Sequence, residues 1–361
     1  MDNQIITNRL AKLRSKMDAH DIAAILFTHP PNIFYLSGFS GSSAFLCITE
    51  RAAHLYTDFR YLQQAAEESP LFEIIKVGNS DDFGKIITFL HKSGIKNLAV
   101  EEASLTLQRY NKLQAVAQGI ELIAQSNFVE EIRAIKEKGE VEKIASAARI
   151  ADQAFLQLLP LIRPGMREDE IALELEYRLR KAGSQKNPFD IIVASGPRSA
   201  LPHGLPTGKV IAEGELITID FGAVWGRYCS DMTRTFLLGE PRDKKQSEIY
   251  NVVREAQKQA ISQLQTGRSC AEIDAIARNL FQEFDYAVNF GHGLGHGVGL
   301  EVHEFPTLSP RGKAILEEGM VFTVEPGLYF EGWGGVRIED MIVLQDGGFR
   351  VLTSSPKELV V

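Results

Sequence analysis

The chain has 361 residues, 44% of them apolar and 24% charged, with a net charge of −8. That length exceeds what one core usually organises, so two domains are expected. The acidic balance argues against a nucleic-acid binder, whose footprint is basic, and no run approaches the ~18 apolar residues that span a bilayer.

The first residues, MDNQIITNRLAKLRSK, lack a basic stretch followed by an apolar one, so no secretory leader is expected and the cytoplasm is the expected compartment. Ile5, Leu10, Leu13 and Met17 have helical spacing and predict a helix over 5–18. IAAILF (22–27) predicts a buried strand. His29, before Pro30-Pro31, lies in a stretch that could reach a neighbouring subunit. LSGFSGSSAFLCIT (36–49) and AHLYTDFRY (53–61) predict strands broken by Gly and Ser turns. GKIITFLHKSG (84–94) predicts a helix and KNLAVE (96–101) a strand. Alternating strands and helices of this kind make an α/β unit of about 125 residues. The stretch 129–159 then turns charged and strongly helical, which puts the boundary near 125–135. The first domain is read as 1–128 and the second as 129–361.

The second part carries a repeat. PGMREDEIALELEYRL (164–179) resembles TGRSCAEIDAIARNLF (266–281). Gly165 and Gly267 each follow a helical stretch, as a C-terminal stop does. An acidic-Ile pair comes five residues later, Glu170-Ile171 and Glu272-Ile273. Cys47, Cys229 and Cys270 are far apart and odd in number, so they predict small buried apolar residues rather than a disulfide framework. His20, His54 and His91 are expected to be surface or structural histidines.

ELITIDFGAVWGRYCSDMTRTFLL (215–238) predicts a β-hairpin. With Trp225-Gly226 as its turn, Asp220 stands directly opposite Asp231. Opposed residues share a face with Cβ atoms about 4.5–5.5 Å apart, so two carboxylates there need a cation between them. Glu325 ends the strand of GMVFTVEPGLY (319–329), and Glu339 interrupts WGGVRIEDMIVL (333–344). Unpaired buried charge is expensive, so each of these also needs a cation. Four carboxylates match the charge of two divalent ions.

GHGLGHGVGLEVHE (291–304) holds three of the eight histidines among glycines. Imidazole on so little bulk points to a site, with the glycines admitting backbone and substrate close to it. One imidazole added to four carboxylates gives a set suited to Mn²⁺, Fe²⁺ or Co²⁺, with Zn²⁺ also open. No GxGxxG, GxxxxGK[ST], HExxH or GxSxG is completed.

Asp220, Asp231, His296, Glu325 and Glu339, with GHGLGHGVGLEVHE, VEPGLY and GVRIED, resemble the creatinase/prolidase/aminopeptidase P group of metallopeptidases. PPNIFYLSGFSGSSAFLCITERAAHLYTDFRYLQQA (30–65) is similar to the group's N-terminal domain. The resemblance implies an α+β protein: a creatinase-like α/β N-terminal domain, then a pita-bread catalytic domain with a pseudo-twofold repeat. It implies two divalent ions, Mn²⁺ foremost. Asp220 would ligate one, His296 the other with Glu325, and Asp231 and Glu339 would bridge them. Glu325 matches the general base. His303 matches a residue near the scissile carbonyl, and His203 one that stabilises the tetrahedral intermediate. Arg337 matches a residue that orients the groups behind the ligands, and His292 lies where an outer histidine is frequent.

The implied activity is hydrolysis of the Xaa-Pro bond at peptide N-termini, and the implied assembly is a homodimer through the N-terminal domain. His292-Gly293 stands where many bacterial prolidases have a His-Arg pair, which favours an aminopeptidase over a dipeptidase. A non-catalytic binding member of the fold is a third reading, which retention of all five ligand types opposes. A methionine aminopeptidase would share the ligands but normally lacks the N-terminal domain.

Overall fold

Asp2 caps the first helix: its carboxylate accepts from the Gln4 amide at 2.9 Å, and α1 runs Asn3–Ala19. The computed structural model describes residues 2–78 and 83–360. The chain divides into two units, Met1–Arg133 and Ala134–Val361.

The first unit holds β1 (Ala24–Phe27), α2 (Pro30–Ser37), β2 (Ala44–Thr49), β3 (Ala53–Thr57), α3 (Leu62–Glu68), β4 (Glu73–Lys76), α4 (Gly84–Lys92), β5 (Asn97–Glu101), α5 (Leu107–Val116) and β6 (Glu121–Gln125); the short α6 (Glu130–Ala134) follows. Its sheet has the order β4-β3-β2-β1-β5-β6. β1 lies inside it, antiparallel to β2 and parallel to β5, and all four of its residues are buried. That is why IAAILF reads as an unbroken apolar run. The expected strand from residue 36 begins only at Ala44. Proline at the first turn starts α2, and Gly38, at φ 78°, ends it. The expected strand over 53–61 stops at Thr57.

The second unit realises the repeat as two helix pairs. α7 (Lys138–Leu158) with α8 (Glu168–Lys181) answers α9 (Lys244–Ser262) with α10 (Cys270–Glu283). The loops within the pairs turn through Gly165 at φ 95° and Gly267 at φ 89°, in the left-handed region that glycine enters without strain. Each loop also makes one bridge, Arg167 to Val210 and Ser269 to Ile315.

α7 and α8 pack on the sheet of β7 (Ile192–Ser195), β8 (Leu216–Phe221) and β11 (Met232–Leu237), through Ala151, Leu175, Val193 and Ile219. Between β8 and β11 runs a ribbon of β9 (Val224–Trp225) and β10 (Tyr228–Cys229). α9 and α10 pack through Val253, Ile273, Phe322 and Ile342 on the sheet of β12 (Gly295–Gly297), β13 (Glu304–Leu308), β14 (Val321–Val324), β17 (Asp340–Gln345) and β18 (Gly348–Val351). β15 (Gly327–Phe330) and β16 (Gly334–Arg337) form a second ribbon. All three cysteines are free and buried. No helix among the described residues is long and apolar enough to cross a membrane.

Candidate metal centre

The hairpin carrying the two aspartates differs from expectation by its turn. The turn is Gly226-Arg227, with φ 55° and 72°, and Trp225 pairs with Tyr228. Two central residues at positive φ suit the twist of a two-residue hairpin, whereas a bulky Trp is a poor occupant of that region. Asp220 therefore faces Thr233, and Asp231 lies two residues before that partner. A slip of two keeps both side chains on one face, because the side-chain period of a strand is two.

Glu325 lies at a strand end, as expected, whereas Glu339 precedes a strand rather than lying inside one. Glu325 follows β14, and its amide donates to Leu294 O at 2.8 Å. Glu339 precedes β17, and its amide donates to Thr233 O at 3.1 Å.

His296 is the central residue of β12. Its Nδ1 lies 3.1 Å from Gly297 O, and its Nε2 lies 3.2 Å from Glu325 Oε1 and 3.5 Å from Asp231 Oδ2. With Nδ1–H donating to the carbonyl, Nε2 is the ring atom turned to the carboxylates, the arrangement of a metal-ligating histidine. The glycines beside it serve neighbouring strands rather than a substrate. A Cβ on Gly295 would fall 2.0 Å from Thr323 O, and one on Gly297 2.3 Å from Phe305 O.

Potential ligand atoms of Asp231, His296 and Glu339 all lie within 4.8 Å of one another. Asp220, Glu325, His203, His292, His303 and Arg337 line the same cavity, about 830 Å³ in volume. Asp220 Oδ1 and Asp231 Oδ1 are buried without a hydrogen-bond partner. Orphaned buried carboxylate oxygens are costly, and divalent cations are what this donor set fits. The electrostatics agree. Burial, reinforced by neighbouring carboxylates, pushes Asp231 and Glu339 well above the usual carboxylate range, and burial raises Asp220. Burial also pushes Glu325 up, but the hydrogen bond and charge of His296 outweigh it and hold Glu325 down at about 2.

Behind these carboxylates stands a layer of donors. Arg337 Nη2 donates to Asp220 Oδ2 at 2.7 Å, and its Nε to Thr233 Oγ1 at 3.0 Å. Thr233 in turn donates to Glu339 Oε2 at 2.6 Å, and Thr323 donates to Glu325 Oε1 at 3.1 Å. Arg337 Nη1 also donates to Tyr329 Oη at 2.9 Å, and His292 Nε2 lies 3.0 Å from the same hydroxyl. Tyr329, Thr233 and Thr323 are absent from the residues singled out in the sequence. The one signal for Tyr329 was its place in VEPGLY: a Cβ on Gly327 would meet Tyr329 Oη at 2.6 Å, so that glycine makes room for the ring.

His303 is exposed, its ring centroid 4.1 Å from that of His296. Partial desolvation, then the charges of His296 and His203, lower its pKa. Trp225 and Trp333 are not among the residues lining the cavity. In the first unit, atoms of His29, Glu101 and Glu130 also lie within 4.8 Å of one another. There, however, Glu101 already accepts from the Thr28 and His29 amides and from Asn32 at 2.6–2.8 Å.

Comparison with known proteins settles the family. The model of metallopeptidase family M24 matches residues 142–346. The chain belongs to that family. The Creatinase/Prolidase N-terminal domain matches residues 9–135 ahead of it. The fold is thus a creatinase-type N-terminal domain followed by the pita-bread domain of M24. The Xaa-Pro dipeptidase of Pyrococcus horikoshii is 40% identical, over 99% of this chain and 99% of its own. The structure of the Xaa-Pro dipeptidase from Bacillus anthracis is 42% identical with a TM-score of 0.95, covering 99% of this chain and 100% of that one. The X-Pro aminopeptidase of Thermotoga maritima is 40% identical with a TM-score of 0.86, covering 96% of this chain and 100% of that one. As an M24 member the chain is a metallopeptidase-family hydrolase, and the two orphaned aspartate oxygens lie among residues of ligand type.

Proposed function

We propose that the protein is a dinuclear-metal exopeptidase that hydrolyses the Xaa-Pro bond at peptide N-termini. The observation that carries this reading is the meeting of Asp220, Asp231, His296, Glu325 and Glu339 at one cavity, with Asp220 Oδ1 and Asp231 Oδ1 buried and unpartnered. Those five side chains would hold two divalent ions, Mn²⁺ being the proposed metal. The ions would polarise the peptide carbonyl and lower the pKa of a water from 15.7 to about 7.

Glu325 takes the proton of the attacking water and passes it to the leaving proline nitrogen. His203 and His303 donate toward the carbonyl oxygen as charge builds on it, a role worth on the order of 3 kcal/mol per donor. Arg337 holds one oxygen of Asp220 and leaves the other, Oδ1, without a partner, so that it would serve as a ligand. Phe189, Ile192, Pro202 and Leu205 give the cavity an apolar wall that suits a proline ring or an apolar first residue.

The length of the substrate is open at its far end. Arg337 is the one guanidinium or ammonium among the described residues lining the cavity, and its donors go to Asp220, Thr233, Tyr329 and Pro202. No free cation there is placed to demand a dipeptide's carboxylate, which supports an aminopeptidase. A strict Xaa-Pro dipeptidase is the second reading, favoured by the names of relatives at 40–42% identity.

The test compares an Xaa-Pro dipeptide with an Xaa-Pro-Xaa tripeptide, each with Mn²⁺ and with EDTA. EDTA-sensitive cleavage of the tripeptide supports the aminopeptidase. Cleavage of the dipeptide alone makes it a dipeptidase. Cleavage of neither by metal-loaded protein overturns the Xaa-Pro reading. A cytoplasmic homodimer built through the N-terminal domain belongs to the same proposal. Light scattering tests the dimer, and a fully active monomer refutes it.

A further inference from the structure

Lys136 precedes α7, and Glu304 opens β13 directly after His303. Lys136 Nζ lies 2.8 Å from Glu304 Oε1, with the two side chains 1% and 4% exposed. A pair this deep contributes little net stability, because desolvating both charges offsets their attraction. It is better suited to fixing where its two segments lie.

Both segments are otherwise tied to the metal centre. The Lys136 amide donates to Gly319 O at 2.9 Å, and Ile135 bridges Met320, next to the start of β14, the strand that delivers Glu325. On the other side Glu304 pairs with Gly297, and the β12–β13 register shifts between His296 and Gly297. The intervening loop is folded onto the Glu304 carboxylate, since a Cβ on Gly299 would fall 2.2 Å from Oε1. A bulge leaves local register poorly fixed by the ladder alone. Glu304 and His303 both line the cavity.

We infer that the Lys136–Glu304 pair is a positioning device for His303. It clamps the bulged loop 297–304 to the base of β14 and so holds the His303 ring against His296 at the rim of the cavity. Lys136 touches neither metal nor substrate and acts through Glu304. The inference rests on the role given above to His303 in peptide hydrolysis.

The test is a double-mutant cycle of Lys136→Met and His303→Ala in the metal-loaded full chain, read as kcat and KM on an Xaa-Pro peptide. Lys136→Met should lower kcat about tenfold, with KM and metal content within twofold of the wild type. In the His303→Ala background it should lower kcat no further. Lys136→Arg should recover part of the loss. Additive losses would overturn the inference, because a merely structural role adds to the loss of His303. Glu304→Gln replaces Lys136→Met in the same cycle if the latter does not fold.

Histidine-labelled protein supplies a readout independent of activity. Lys136→Met should move the His303 imidazole resonance and leave those of His20 and His54 in place. An unmoved His303 resonance overturns the inference. A wild-type protein that cleaves no Xaa-Pro peptide overturns the proposed function instead, and the resonance then decides the positioning.

Discussion

Arg337 donates from Nη2 to Asp220 Oδ2 at 2.7 Å, while the other oxygen of that carboxylate, Oδ1, is buried and has no partner. One guanidinium thus fixes which oxygen remains available. The same side chain reaches Thr233 Oγ1, which donates to Glu339, so it ties together carboxylates delivered by β8 and by the β16–β17 connection. Arg337→Met is expected to weaken metal binding by about 10–100-fold, the usual effect of removing a partner that orients a ligand. Arg337→Lys should recover little, since a point charge cannot span both partners. Titration with Mn²⁺ against a chelator measures this. Wild-type affinity in Arg337→Met would remove the orienting role.

Glu325 is the carboxylate held lowest in pKa at the site, at about 2, in spite of its burial, because His296 lies against it. It is therefore ionised at neutral pH. Glu325→Gln should cut kcat by about 10²–10⁴, the range for loss of a general base, with the far-ultraviolet spectrum unchanged. Near-normal turnover in a folded Glu325→Gln protein would take the base role away from this residue.

How much of this was legible in the sequence depends on how unusual each residue is in its setting. Asp220 and Glu339 stand out because carboxylates interrupting apolar strands need a cation, and His296 stands out among glycines. Gly165 and Gly267 exposed the repeat because both helix pairs need a left-handed turn at the same point. The hairpin register was only partly legible: glycine is a better first turn residue than Trp225, which favours Gly226-Arg227, but composition would not choose Arg227 for a position at φ 72°, and the two-residue slip preserves the face. Thr233 and Thr323 look like ordinary strand residues. Lys136 lies in IKEKGEVEK, which reads as a solvated charged run, and nothing local says that this one lysine is buried.

Tyr329 joins the guanidinium of Arg337 to the imidazole of His292 through one hydroxyl. A hydrogen bond to a charged group contributes about 1.5–3 kcal/mol. Tyr329→Phe should therefore lower kcat/KM by about 10–150-fold while the protein stays folded and keeps its metal. Gly327→Ala should produce a similar defect by another route, since the added Cβ would lie 2.6 Å from Tyr329 Oη and push the ring away. Steady-state kinetics on both variants checks the pair. Wild-type kcat/KM in Tyr329→Phe would mean that Arg337 keeps its place without the hydroxyl.

The crowded carboxylates give the metal-free protein an inverted response to pH. Burial, followed by the charges of neighbouring carboxylates, raises Asp231 and Glu339 well above the ordinary range. In the unfolded chain such groups titrate near pH 4. From about pH 4 upward to the raised values, the folded state binds more protons than the unfolded chain, so stability falls as pH rises through that window. Glu325 works in the opposite sense. Its depressed pKa contributes stability that is present above about pH 4 and lost only as pH falls toward about 2, outside the window. Metal ions compete with the same protons, so their binding tightens as pH rises. The melting temperature of EDTA-stripped protein should therefore fall as pH rises above about 4, while the increment gained on adding Mn²⁺ grows in the same direction. Thermal melts of both forms at each pH read this out. An increment that stays constant or shrinks toward neutral pH would mean that Asp231 and Glu339 do not hold the ions.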